Sequence, residues 1–168
     1  MVTDGRCGGL TGDGRVLPTR DGYHEAMPLH HQTRRVPYSA EQMFDLVADI
    51  EKYPQFVPGY REVNMLARDA ERLRVRQRVG FGVLSACFDS EAEFDRPRRI
   101  RVRSGERPFH LLEIEWHFEP EGSGCWVRFR AEFHLAEGLA ARVVAPWFSA
   151  LNAHLADTFI ARARVLYG

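Results

Sequence analysis

RLRVRQRVGFGVLSACFDSEAEF, residues 72–94, alternates with a period of two on both sides of Gly82. Before the glycine, the odd positions Leu73, Val75, Val79 and Phe81 form one face, and Arg72, Arg74, Arg76 and Arg78 form the other. After it the apolar set is even (Leu84, Ala86, Phe88, Ala92, Phe94), and Asp89, Glu91 and Glu93 lie opposite. Successive side chains of a strand point to opposite faces, so this is the pattern of two half-buried β-strands. Gly82-Val83 suits a two-residue hairpin turn with glycine first. That turn pairs Phe81 with Leu84, both inward, and sets Arg76 against Asp89, Arg74 against Glu91, and Arg72 against Glu93. The hydrophobic and charge patterns therefore select the same register.

Working outward towards the C-terminus, a second hairpin around Arg96-Pro97 sends Ile100 and Val102 inward and Arg99, Arg101 and Arg103 outward beside the same acids. HLLEIEWHFEP (110–120) then puts Leu112, Ile114, Trp116 and Phe118 inward, with His110 on the same parity, and Glu113, Glu115 and Glu119 outward. CWVRFRAEFHL (125–135) places Val127, Phe129, Ala131, Phe133 and Leu135 inward, with Arg128 and Arg130 outward. The outer face is thus striped with alternating sign, and each cross-strand pair of opposite charges contributes ~0.2–1 kcal/mol. The arginine comb is most simply one stripe of this lattice. Lys+Arg and Asp+Glu are 23 each, a formal net charge of zero, whereas a phosphate-backbone partner calls for a basic excess. A DNA partner is not expected. Lys52 is the sole lysine, and arginine suits planar pairing with carboxylates.

Towards the N-terminus, His30–Val36 reads as a short first strand ending at Pro37, and Ser39 is a good N-cap for a helix from Ala40. Met43, Phe44, Val47 and Ile50 recur at helical spacing, and Pro54 and Pro58 mark off a second short helix and a Pro58-Gly59 loop. Residues 1–26 carry six glycines and few large apolar side chains. They read as a disordered N-terminal extension, leaving 27–168 as one domain. The chain closes on a helix from Leu139 to about Leu166, on the order of 40 Å long, with Pro146 inside it and Phe148, Leu151, Leu155 and Phe159 along one stripe. Three widely spaced cysteines (Cys7, Cys87, Cys125) form no metal or disulfide pattern. With no apolar run near the length of a membrane span and no signal-peptide core, a cytoplasmic location is expected.

The fold class is therefore α+β: a curved antiparallel sheet of six to seven strands wrapped around a long C-terminal helix, with two short helices after strand 1. A helix is only about 10–12 Å across, so it is not expected to fill the concavity alone. Mostly apolar walls with a few polar groups are typical of a small-molecule pocket. The candidate lining comes from the first helix (Phe44, Val47), the sheet (Gln77, Val79, Phe81, Phe88, Ser90, Leu112, Ile114, Trp116, Phe129) and the long helix (Phe148, Leu151, Leu155, Phe159). Phe56, Val57, Pro58 and Tyr60 would frame its mouth. Taken singly, Phe88, Trp116 or Phe129 is better explained by core packing than by ligand contact, so the architecture carries the pocket inference. The histidines His110, His117, His134 and His154 are scattered, with no Ser/His/Asp or Cys/His constellation. No catalytic residue, metal site or cofactor is expected.

VPYSAEQMFDLVADIEKYPQFVPGY (36–60), RVGFGVLSACFDSEAEFDRPRRIRV (78–102), RPFHLLEIEWHFEP (107–120) and FIARARVLYG (159–168) resemble the coenzyme-Q-binding protein family within the START-like, helix-grip superfamily. The resemblance covers residues 27–168. It implies a non-catalytic protein that holds ubiquinone, or a related isoprenoid lipid, in support of respiration or quinone biosynthesis, with peripheral contact at the inner membrane where that ligand resides. A branch of the same family, that of RatA, instead implies ribosome binding that blocks subunit association, and the wider superfamily includes polyketide cyclases and dehydratases. Where the family pattern has Trp-Cys after its second proline, this chain has Gly59-Tyr60, so a different mouth is expected.

Overall fold

The strand β3 (Arg72–Phe81) pairs with β4 (Leu84–Asp95) in the register that the alternation dictates: Arg76 faces Asp89, Arg74 faces Glu91, Arg72 faces Glu93 and Phe81 faces Leu84. Gly82 turns the hairpin at φ +56°, a left-handed conformation that glycine adopts without steric cost. The computed structural model describes residues 29–168, and of residues 139–144 the backbone alone. The extension expected at 1–26 lies outside the described residues.

The remaining elements are β1 (Leu29–Val36), α1 (Ala40–Ala48), a short 3-10 helix (Ile50–Gln55), β2 (Tyr60–Arg68), β5 (Arg99–Ser104), β6 (Phe109–Glu121), β7 (Gly124–Leu135) and α2 (Leu139–Tyr167). Seven strands form one antiparallel sheet in the order β1-β7-β6-β5-β4-β3-β2. Ser39 caps α1 through a reciprocal box with Gln42: each side chain bonds the other residue's backbone N–H, at 3.2 and 2.9 Å. The helix α2 runs unbroken through Pro146. Gln32 of β1 fixes α2 against the sheet edge, its amide donating to the Ala153 carbonyl and accepting from the Ala156 N–H at 3.0 Å.

The outer lattice forms, with one rearrangement. Arg76 grips Asp89 with two bonds of 2.6 and 3.0 Å, and Arg74 leans to the same carboxylate at 3.5 Å instead of to Glu91 opposite. Between them the arginines leave Asp89 only 6% exposed although it faces outward. Arg78 pairs with Glu62, Arg101 with Glu113 and Glu115, and Arg128 with Glu119.

Two expectations are corrected. Phe81 and Leu84 are 58% and 51% exposed, with Val83 at 99%: the hairpin tip runs past its cover, and Phe81 meets only the edge of Trp147, at 6.0 Å. A bulge between Phe109 and Leu111 shifts the β6 register, so Phe109 is buried and His110 exposed; an extra residue in one strand reverses side-chain parity beyond it. Cys125 is buried and free.

The space between sheet and long helix

Two rows of rings occupy the concavity. In the first, Phe88 meets Phe109 at 4.9 Å, and Phe109 and Phe133 each meet Phe148 of α2 at 4.9 and 4.8 Å. Val79 and Leu112 pack around them. In the second, Phe159 of α2 touches Tyr53, Phe56 and Trp116 at 5.0–5.2 Å, and Trp116 reaches Phe129 at 4.6 Å. Phe44, Val47, Val57, Leu151 and Leu155 belong to this cluster, with Ile114 partly buried against it. Nearly every expected lining residue therefore faces the interior, but the rings close on one another. A cleft of about 570 Å³ lies elsewhere, at the β6–β7 turn, between Arg35, Val36, Pro37 and Glu121–Gly124, none of them an expected lining residue.

Polar groups are sparse among these rings. Gln77, 2% exposed, donates from Nε2 to the Ser90 hydroxyl at 2.6 Å. Asn152 of α2, 1% exposed, donates from Nδ2 to the Phe148 carbonyl at 2.7 Å. Asn152 was not an expected site residue, although it stands one helical turn beyond Phe148 and so shares its face.

At the expected mouth, the loop after the 3-10 helix meets α2 and the β3–β4 hairpin. Gly59 has φ +84°, and a Cβ there would lie 2.2 Å from Trp147 Cζ2. The indole of Trp147 on α2 thus occupies the volume that a side chain at position 59 would need. Tyr60 is partly buried and Pro58 exposed. Tyr53 and Tyr60 stack edge-to-face at 5.3 Å, and burial pushes both phenols above their ordinary pKa, so they remain neutral.

One contact was invisible in the sequence. Ser149 Oγ and His30 Nε2 lie 3.1 Å apart, joined across 119 positions of chain. A serine–histidine pair acts as a nucleophile only when a third group orients the imidazole. The other contact of this ring is stacking on Phe133, at 6.1 Å.

The family described as polyketide cyclase / dehydrase and lipid transport matches residues 36–160. The ribosome association toxin RatA of Escherichia coli (strain K12) is 30% identical over 142 residues, covering 84% of this chain and 90% of that protein. The mitochondrial coenzyme Q-binding protein COQ10 of Drosophila melanogaster is 25% identical over 134 residues, 77% of this chain but 55% of its own length. In fold, the Zhui aromatase/cyclase from Streptomyces sp. R1128 superposes with a TM-score of 0.71 at 15% identity, over 83% of this chain and 94% of that one. This chain has the α+β helix-grip architecture.

Proposed function

Because the chain belongs to the polyketide cyclase/dehydrase and lipid transport family, on the branch that includes RatA and the COQ10 proteins, we propose that it binds a polyprenyl quinone of the ubiquinone class between the sheet and α2, without catalysing a reaction. The observation that carries this proposal is the join between an almost wholly apolar interior and an exposed apolar rim: Phe81, Val83 and Leu84 at the hairpin tip, with Trp147 leading inward. Each buried CH₂ of an isoprenoid tail contributes ~0.8 kcal/mol, which offsets the displacement of rings that otherwise fill the space. Entry begins with Trp147 swinging off Gly59. No helix among the described residues is long and apolar enough to cross a membrane, so the protein would meet its ligand at a bilayer surface, through the hairpin tip.

Uptake from vesicles tests the proposal. Purified protein mixed with ubiquinone-loaded vesicles and then separated from them is expected to carry quinone at near one equivalent. Recovery of quinone-free protein at every vesicle concentration would refute it.

Ribosome association is the second reading, favoured by the 30% identity to RatA across 90% of that protein. Against it stands the outer sheet face, where Arg76, Arg78, Arg101 and Arg128 are all engaged by carboxylates and so are poorly placed to neutralise phosphates. Co-sedimentation with large ribosomal subunits at moderate salt separates the two. An enzyme of the cyclase type is the third, and the His30–Ser149 pair, whose imidazole stacks on a ring instead of bonding an orienting carboxylate, gives it little support.

A further inference from the structure

Among the described residues, two fully buried side-chain oxygens have no hydrogen-bond partner: Gln77 Oε1 and Asn152 Oδ1. Both flank the same row of rings. Gln77 stands directly opposite Phe88 in the β3–β4 register, Phe88 leads through Phe109 to Phe148, and Asn152 is tied to the Phe148 carbonyl. Buried polar atoms are rarely left unpaired, and each exception calls for a physical explanation.

The chemistry of the two amides differs. A carbonyl only accepts, so the bond to Phe148 O fixes the Asn152 NH₂ there and leaves Oδ1 as an acceptor in either packing of its neighbours. A serine hydroxyl both donates and accepts. Gln77 therefore has two orientations against Ser90, one presenting a free acceptor and the other a free donor. The interior thus offers one obligate acceptor and one group that adapts. A ring carbonyl, as in an oxidised quinone, brings an acceptor to Asn152 and leaves both oxygens without a proton. A ring hydroxyl brings the missing donor, and Gln77 can serve an oxygen substituent of either kind.

We infer that Asn152 Oδ1, with the Gln77–Ser90 pair, is a recognition site for a ring hydroxyl, so that the interior selects a phenol or hydroquinone over the corresponding ether or quinone. This deepens the proposed ligand-binding role and rests on it: both redox forms of a quinone-class ligand enter the apolar interior, and the hydroquinone is the more tightly held. It also names Asn152 and Gln77 as ligand contacts rather than structural amides. A site built to hydrogen-bond a hydroxyl discriminates against an analogue that lacks it, because the buried partner is then left unpaired.

The test uses two probes with the same apolar body, 4-nonylphenol and 4-nonylanisole, titrated against the full chain. The phenol is expected to bind at least about tenfold more tightly, and Asn152→Leu, checked for folding by its thermal melt, is expected to bring the two affinities together. The comparison in the unmodified protein needs no variant, so it stands whether or not Asn152→Leu folds. Equal affinities, or a tighter ether, would overturn the inference while leaving the apolar site intact. A phenol preference that survives both Asn152→Leu and Gln77→Leu would overturn the assignment to these residues. Binding of neither probe would remove the ligand site itself, and the inference with it.

Discussion

Replacing Gly59 by alanine combines two separable costs. The backbone there sits at φ +84°, and forcing an L-residue into the left-handed region costs roughly 1–2 kcal/mol. The new methyl would also lie 2.2 Å from Trp147 Cζ2 and 2.6 Å from Cε2, far inside contact distance, so the indole must move. Overpacking of this kind costs about 1–3 kcal/mol. Together they put Gly59→Ala at roughly 2–5 kcal/mol of destabilisation. In a Trp147→Ala background the steric part disappears and only the roughly 1–2 kcal/mol backbone part remains. The double-mutant cycle should therefore give a coupling of about 1–3 kcal/mol. Urea unfolding followed by far-ultraviolet circular dichroism measures all four proteins without relying on the deleted tryptophan. If Gly59→Ala costs the same with and without the indole, Trp147 is not seated on Gly59 and the proposed entry route is wrong.

Other consequences are independent of that cycle. Asp89→Ala strips the two bonds that Asp89 accepts from Arg76, whose side chain is 26% exposed, and should cost about 1.5–3 kcal/mol; a loss under ~0.5 kcal/mol would match an ordinary surface substitution and deny the lattice its structural role. Burial, and secondarily Glu41, pushes the Cys125 thiol up from 9.0 to about 11. Native protein should therefore resist iodoacetamide at Cys125 near neutral pH, and peptide mass analysis showing rapid native alkylation would contradict the burial. Since the folded pKa lies above the unfolded one, the thiol's contribution to stability is complete below about pH 9 and fades as the pH rises through about 11. Val83→Asp, at a fully solvated tip, should leave the melting curve within ~0.5 kcal/mol of the parent but slow quinone uptake from vesicles. Unchanged uptake would exclude the tip from membrane contact.

The β3–β4 register was legible because two independent patterns, apolar parity and charge sign, had to agree over ten residue pairs. The burial of Asp89 was not: parity marks it as outward, and Arg76 together with the lean of Arg74 away from Glu91 covers it. The bulge beside Phe109 carries no compositional flag, so strict alternation missed a ring at the centre of the first row and turned His110 the wrong way. The expectation of an open hollow rested on the width of a helix. It undercounted side chains that reach from both walls: Phe88 and Phe109 from the sheet meet Phe148 from α2 and bridge the gap. Gly59 could be singled out, but its meaning depends on Trp147, 88 positions away in the chain. Asn152 hid beside Leu151 in an apolar stripe, where helical spacing from Phe148 was the one available signal.

Native mass spectrometry of the full chain after equilibration with a short-tailed ubiquinone probes the interior between sheet and helix directly. A single added mass of one quinone is expected, and it should be lost in Phe159→Trp, which enlarges the ring that meets Trp116 at 5.1 Å. Only the ligand-free mass, at quinone concentrations well above those that saturate apolar carriers, would mean that the rings are a finished core and that the protein acts through its surface.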